Sequence, residues 1–170
     1  MQHSTKKLGM MFTLGGWIIG FLILALAFTK ILDHQDNPNQ SVATSQSGQS
    51  QQIELKRNRN GHYVFIGEIN QKPVSFLVDT GATITSIPSG LQRYLGLKAG
   101  QAFQVSTANG VATAYMTRLD EVRLGEIRLT NVRASLNPGL ADDSILLGMN
   151  VLKHLELVQR GNSLIIKQIY

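Results

Sequence analysis

The chain of 170 residues contains no cysteine. That excludes disulfide bridges, a thiol nucleophile and cysteine-based zinc sites, and it leaves the redox compartment open. Histidine is scarce and dispersed: His3, His34, His62 and His154 form no cluster with metal-ligand spacing, so neither a metal nor a cofactor is expected. His154 is expected on the exposed face of a short helix. A G-x-S-x-G elbow is also lacking, which argues against a serine hydrolase. Gly81 stands where a phosphotransferase of the Asp-x-Asp-x-Thr type needs its second aspartate. The formal net charge is +5, and beyond residue 52 there are 13 Lys and Arg against nine Asp and Glu. The excess is dispersed, as in Arg118, Arg123, Arg128 and Arg133. With no basic block interleaved with aromatics, no nucleic-acid partner is expected.

Long apolar runs are confined to one place. Residues 8–28 are 21 residues without a charge. At about 1.5 Å per residue, a helix of that length spans roughly 30 Å, the thickness of a bilayer's hydrocarbon core. The run has no polar face, which argues against a buried core helix, and Trp17 and the Gly15-Gly16 pair are compatible with a membrane helix. Lys6 and Lys7 precede it, while Lys30, Asp33 and Asp36 follow. That bias favours a cytoplasmic N-terminus, with the rest of the chain facing the periplasm or exterior. A cleaved signal peptide is the competing reading, because Ala25-Leu26-Ala27 is an A-x-A-like site, although the run exceeds the roughly 7–15 residues usual for one. The expected organisation is a cytoplasmic N-terminus (1–7), a transmembrane anchor (8–30), a flexible polar tether (31–52) and a folded domain (53–170). The tether is Gln, Ser, Asn and Thr with almost nothing to bury.

From Ile53 onward the pattern is short strands and turns. Tyr63-Val64-Phe65-Ile66 is strand-like, Asn70-Gln71-Lys72-Pro73 is a turn, and 74–78 is a strand. Ser89-Gly90 opens a short helical segment at 91–95. Phe103-Gln104-Val105-Ser106 and 112–116 flank Asn109-Gly110, a pair suited to a type I′ hairpin because both central residues need positive φ. Residues 119–124 and 127–134 alternate around Gly125. Ile145-Leu146-Leu147 runs into Gly148, residues 151–157 read as a short helix, and 164–170 as a closing strand. Many short strands with regular turns indicate a mainly β barrel or sandwich.

One stretch carries chemistry: Phe76-Leu77-Val78-Asp79-Thr80-Gly81-Ala82-Thr83. Three apolar residues lead into an ionisable Asp79, which therefore sits at a strand end and partly out of water. Such a carboxylate needs hydrogen bonds or a partner sharing its proton. Thr80 offers a hydroxyl. Gly81 lets the backbone turn sharply and aim its N–H back at the carboxylate. The competing reading makes Asp79 an ordinary Asx-turn residue.

Leu77-Val78-Asp79-Thr80-Gly81-Ala82, followed by Ile145-Leu146-Leu147-Gly148 and a short helix, resembles the retropepsin-like aspartic proteases, above all the single-span, membrane-anchored bacterial members. Asn109-Gly110 lies 30 residues after Asp79, where the family's flap tip would fall, and Leu146-Leu147-Gly148 about 70 residues after it. Asn150 also matches the family's pattern. Viral members commonly carry Asp and Arg where this chain has Thr83 and Met149. Both members of that ion pair are absent together, which puts the contacts they make in doubt. The resemblance implies a retropepsin-like closed barrel, the acid-protease fold with one lobe per chain, over 53–170.

It also implies a membrane-anchored aspartic endopeptidase in a bacterial inner membrane, with the protease domain periplasmic. Peptide hydrolysis by this route needs two carboxylates sharing one proton, since like charges about 3 Å apart cannot both ionise. The chain has one Asp-Thr-Gly; Asp120, Asp142 and Asp143 lack its flanking residues. Asp79 is therefore expected to act in a homodimer, with Thr80 hydrogen-bonding across the two-fold axis and Gly81 and Ala82 against the substrate backbone. The hairpin Ala108, Asn109, Gly110 and Val111 would be the flap over an extended polypeptide drawn from membrane-associated proteins. The alternative is a catalytically inactive, membrane-tethered peptide-binding or dimerisation module on the same fold.

Overall fold

The apolar N-terminal run, lacking any proline, forms one long helix, α1 (Gln2–Asp36). In this computed structural model residues 2–47, 50–107, 110–140 and 143–169 are described. Leu14–Asp36, 23 residues, is long and apolar enough to cross a membrane, and none of it is buried by the protein. Trp17, Phe21 and Leu24 are all exposed. The helix is a unit by itself, and Asn37–Tyr170 is the second unit.

The second unit is mainly β. Its strands are β1 (Thr44–Ser47), β2 (Ser50–Lys56), β3 (Val64–Ile69), β4 (Lys72–Val78), β5 (Thr85–Pro88), β6 (Ala102–Thr107), β7 (Gly110–Leu124), β8 (Ile127–Asn137), β9 (Ile145–Leu147), β10 (Glu156–Arg160) and β11 (Ser163–Ile169). A 3₁₀ turn (Ser89–Leu91) leads into the one-turn helix α2 (Gln92–Leu95), and α3 (Met149–Leu152) follows β9. Seven strands form one sheet in the order β3-β4-β9-β5-β8-β7-β6, and β3 pairs again with β7, so the sheet closes on itself. Closure is possible because β7 is 15 residues long. Its first part pairs with β6 and its last part with β8 and β3. The remaining strands form a second sheet, β1-β2-β11-β10.

Period-two alternation sends one set of side chains inward. Phe65, Phe76, Ile53, Leu55, Leu119 and Ile145 are fully buried. The Phe65 and Phe76 rings stack with centroids 5.5 Å apart. Asn70 and Gln71 both have positive φ, at 50° and 65°, so the β3–β4 turn has the primed geometry that matches strand twist.

Two segments differ from expectation. Of the stretch 31–52 expected as a tether, residues 31–36 continue α1, and strands β1 and β2 already occupy 44–47 and 50–52, before Ile53. Asn39 is buried; its Nδ2 donates to the carbonyls of Lys56 (2.9 Å) and Val64 (2.7 Å), and its Oδ1 accepts the Lys56 N–H (2.7 Å). β1 pairs with β2, and the Thr44 hydroxyl accepts the Glu126 N–H at 2.9 Å. Strand pairing uses backbone groups, so a segment poor in apolar residues can join a sheet edge. Second, the helix expected over 151–157 is the single turn α3. His154 and Leu155 donate to the Val151 and Leu152 carbonyls, and Glu156 already begins β10, paired with β11. Exposed His154 thus lies in a turn.

Candidate active site

β9 is inserted between β4 and β5, parallel to β4 (Leu77 opposite Leu146, Val78 opposite Leu147) and bridged to β5 at Ser86. This crossing delivers Asp79 to the end of a central strand. Its backbone N–H donates to the Leu147 carbonyl (3.2 Å) and its carbonyl accepts the Ala82 N–H (3.3 Å), which turns the chain at once. The Gly81 N–H donates to Asp79 Oδ1 at 2.9 Å. A Cβ at Gly81 would lie 3.2 Å from that oxygen, so glycine leaves the carboxylate room. Asp79 is half-buried, while Thr80 and Gly81 are exposed.

The loop after Asp79 is clamped to the turn after β9. Met149 N–H donates to the Ala82 carbonyl at 2.8 Å, and Asn150 N–H to that of Thr83 at 3.1 Å. Thr83 and Met149, the two positions at which the chain departs from the viral pattern, therefore meet in one stretch of backbone bonding. Gly148 is packed so tightly that a Cβ there would lie 2.6 Å from the carbonyl carbon of Ile84. Its φ is −87°, so the requirement for glycine is steric. Of the second motif, Leu147 is in the core and Leu146, its side chain on the opposite face of the strand, lines the groove.

β6 and β7 form an antiparallel hairpin whose last described pair is Thr107 opposite Gly110. Gly110 has φ +108°, and Val111 is 73% exposed. Gly110, expected with Asn109 as the central pair of the turn, instead begins β7 opposite Thr107; Ala108 and Asn109 lie outside the described residues, as does Asp142. An open groove of about 670 Å³ lies between this hairpin and the Asp79 loop. It brings Asp79, Gly81 and Ala82 together with Phe103, Val105 and Ser106 of the hairpin. Thr80, Gly110 and Val111 are not part of its lining. Asp79 is the one carboxylate among the described lining residues. No group of His, Asp or Glu able to hold a metal occurs among the described residues.

Five groove residues were not singled out in the sequence: Ile84, Leu140 and the buried polar residues Ser86, Ser135 and Asn137. The signal of the three polar ones was alternation within β5 and β8, where each neighbours a core residue on the opposite face.

Comparison with known proteins gives three findings. The family described as "gag-polyprotein putative aspartyl protease" matches residues 66–154, which include Asp79, the hairpin and the β9–α3 segment. A Sinorhizobium sp. protein described as "Uncharacterized protein in cobV 5'region" is 33% identical over 122 residues, covering 70% of this chain and 52% of that protein. The chain thus spans about half the length of that curated relative. The crystal structure of a retropepsin-like aspartic protease from Rickettsia conorii superposes with a TM-score of 0.59 at 24% identity, over 75% of this chain and 94% of that one; this likeness is one of fold. With the Asp-Thr-Gly-Ala loop, the closed barrel and a family match across more than half its length, the chain belongs to the retropepsin-like aspartic protease family.

Proposed function

We propose that the chain is a membrane-anchored aspartic endopeptidase that works as a homodimer. The observation that carries this reading is the solitary carboxylate. Asp79 sits at the head of an open groove, held by a glycine N–H, with no second carboxylate among the described lining residues. A water-activating dyad needs two, and a second copy related by a two-fold axis supplies the other at no cost in sequence.

In that dimer the ionised Asp79 takes a proton from a water as its oxygen bonds to the scissile carbonyl carbon. The protonated Asp79 hydrogen-bonds to the carbonyl oxygen. Collapse of the tetrahedral intermediate breaks the C–N bond, and the leaving amine takes a proton from the dyad. Thr80, exposed beside Asp79, would bond across the axis, and the β6–β7 hairpins would close over an extended peptide and exclude water. The Leu14–Asp36 helix supports anchoring, with the N-terminus cytoplasmic and the protease domain periplasmic. Confinement to a membrane raises the effective concentration of protomers, so even a weak dimer assembles.

The test is cleavage of an unfolded reporter protein by the full chain in detergent, comparing wild type with Asp79→Asn. Cleavage by the wild type and its loss in the variant are expected. A wild type that cleaves nothing between pH 3 and pH 8, or a variant that cleaves as well as the wild type, overturns the reading.

A further inference from the structure

We infer that the groove contains a polar subsite that selects a hydroxyl- or carboxamide-bearing side chain of the substrate (Ser, Thr, Asn or Gln); this rests on the peptide-hydrolysing reading above. Strand register carries the inference. Leu77, Leu146, Ser86 and Ser135 form one row across β4, β9, β5 and β8, each directly paired with the next. The adjacent residues Ile87, Ala134, Leu136, Ile145 and Leu147 belong to the apolar core, so alternation turns Leu146, Ser86, Ser135 and Asn137 toward the groove that Asp79 heads. The start of the row is apolar and its continuation is not.

Ser86 is 7% exposed, Ser135 1% and Asn137 5%. Three polar side chains are therefore buried together on the floor of a substrate groove, where apolar residues would pack at lower desolvation cost. Ser135 Oγ donates to Ser86 Oγ at 3.2 Å. Asn137 Oδ1 accepts the Gly139 N–H at 2.8 Å, and its Nδ2 adds donor capacity to the same face. Oγ lone pairs and an amide donor side by side match a side chain that both donates and accepts. An aliphatic side chain seated there would displace water from these groups without replacing its hydrogen bonds. A pocket that hydrogen-bonds its ligand rejects the analogue lacking the polar group more strongly than an apolar pocket rejects an extra hydroxyl. In a homodimer each copy contributes one such pocket, so the preference falls on both sides of the cleaved bond.

The experiment uses the full chain in detergent with peptide pools degenerate at one position at a time. One arm reads cleavage by the wild type; the other reads peptide capture by Asp79→Asn, which needs no cleavage. The expected result is one position on each side enriched about tenfold for Ser, Thr, Asn or Gln over Ala and Val, in capture and in cleavage. The double variant Ser86→Ala/Ser135→Ala removes both partners of one hydrogen bond, a change that folding tolerates. Its enrichment for polar over aliphatic residues, read against its own Ala and Val peptides in capture and cleavage, is expected to fall severalfold, with the Asn137 amide left in place. Cleavage with aliphatic preference at every position, or a double variant whose polar preference is undiminished, overturns the subsite and leaves the protease reading intact. Polar-selective capture without wild-type cleavage overturns the protease reading and supports the subsite. Capture with no polar preference overturns the subsite.

Discussion

Asn150 Oδ1 accepts two hydrogens from Thr85, the backbone N–H at 2.8 Å and the hydroxyl at 3.0 Å, across 65 residues of chain. The same amide donates through Nδ2 to the Arg133 carbonyl at 2.7 Å, and the Thr85 hydroxyl accepts the Gly148 N–H at 3.3 Å. One side chain thus ties β5, β8 and the start of α3 together behind the loop that presents Asp79.

Asn150→Ala removes three of these bonds. The expected loss of stability is about 2–3 kcal/mol, because partly buried donors and acceptors are left without partners. Asn150→Asp keeps both acceptor contacts but sets a carboxylate oxygen against the Arg133 carbonyl that Nδ2 served at 2.7 Å, so its loss is expected to be at least as large. Chemical denaturation of the two variants, compared by midpoint at matched slopes, checks the ranking.

Gly148→Ala places a Cβ against the backbone of Ile84 and Thr85, at 2.6 Å from Ile84 C and 2.8 Å from Thr85 N. Neither is a flexible side-chain end, so the β9–α3 turn or the Asp79 loop must move. The expected outcome is a loss of several kcal/mol or failure to fold, as for overpacking at rigid sites. Gly90→Ala, where a Cβ meets nothing within 4 Å, is the control and should leave the melting temperature nearly unchanged.

Asn39→Ala strips partners from the Lys56 N–H and from the carbonyls of Lys56 and Val64. A cost of about 2–3 kcal/mol is expected. A soluble fragment starting at Asn37 should therefore melt well above one starting at Ile53, which also lacks β1 and the first residues of β2. Equal melting temperatures in circular dichroism would remove any structural role for residues 37–52.

Mixing wild type with an equal amount of Asp79→Asn under subunit exchange should leave about one quarter of the dimers with two aspartates. Specific activity per wild-type chain should then fall to about half, since half of the wild-type chains pair with a mutant. Activity unchanged per wild-type chain would show that each copy works alone.

Much of the site was legible because its signals are local. The apolar lead of Phe76-Leu77-Val78 into Asp79, and the Gly81 turn after it, predicted a carboxylate at a strand end with a glycine N–H aimed at it. The structure has that bond at 2.9 Å. The Asn70-Gln71 turn and the existence of a β6–β7 hairpin were legible for the same reason, but Gly110, expected as a central turn residue, is the first residue of β7, paired with Thr107. The one-turn α3 and the early start of β10 were not. Leu152, Leu155 and Leu157 fit a short helix as well as a turn followed by a strand, and pairing with β11 decided between them.

The sequence by itself determined the apolar helix, the mainly β character of the second unit and the presence of a single Asp-Thr-Gly loop, because each follows from residues close in the chain. Only the tertiary structure decided what that loop faces. Asn39 reaches 17 and 25 residues ahead to hold β2 and β3. Asn150 reaches back 65 to Thr85. Ser86 and Ser135 meet through parallel pairing of strands 49 residues apart. Such contacts depend on strand order and register, which propensity and periodicity do not encode. They turn a three-residue motif into a groove with a carboxylate at its head and hydroxyls on its floor.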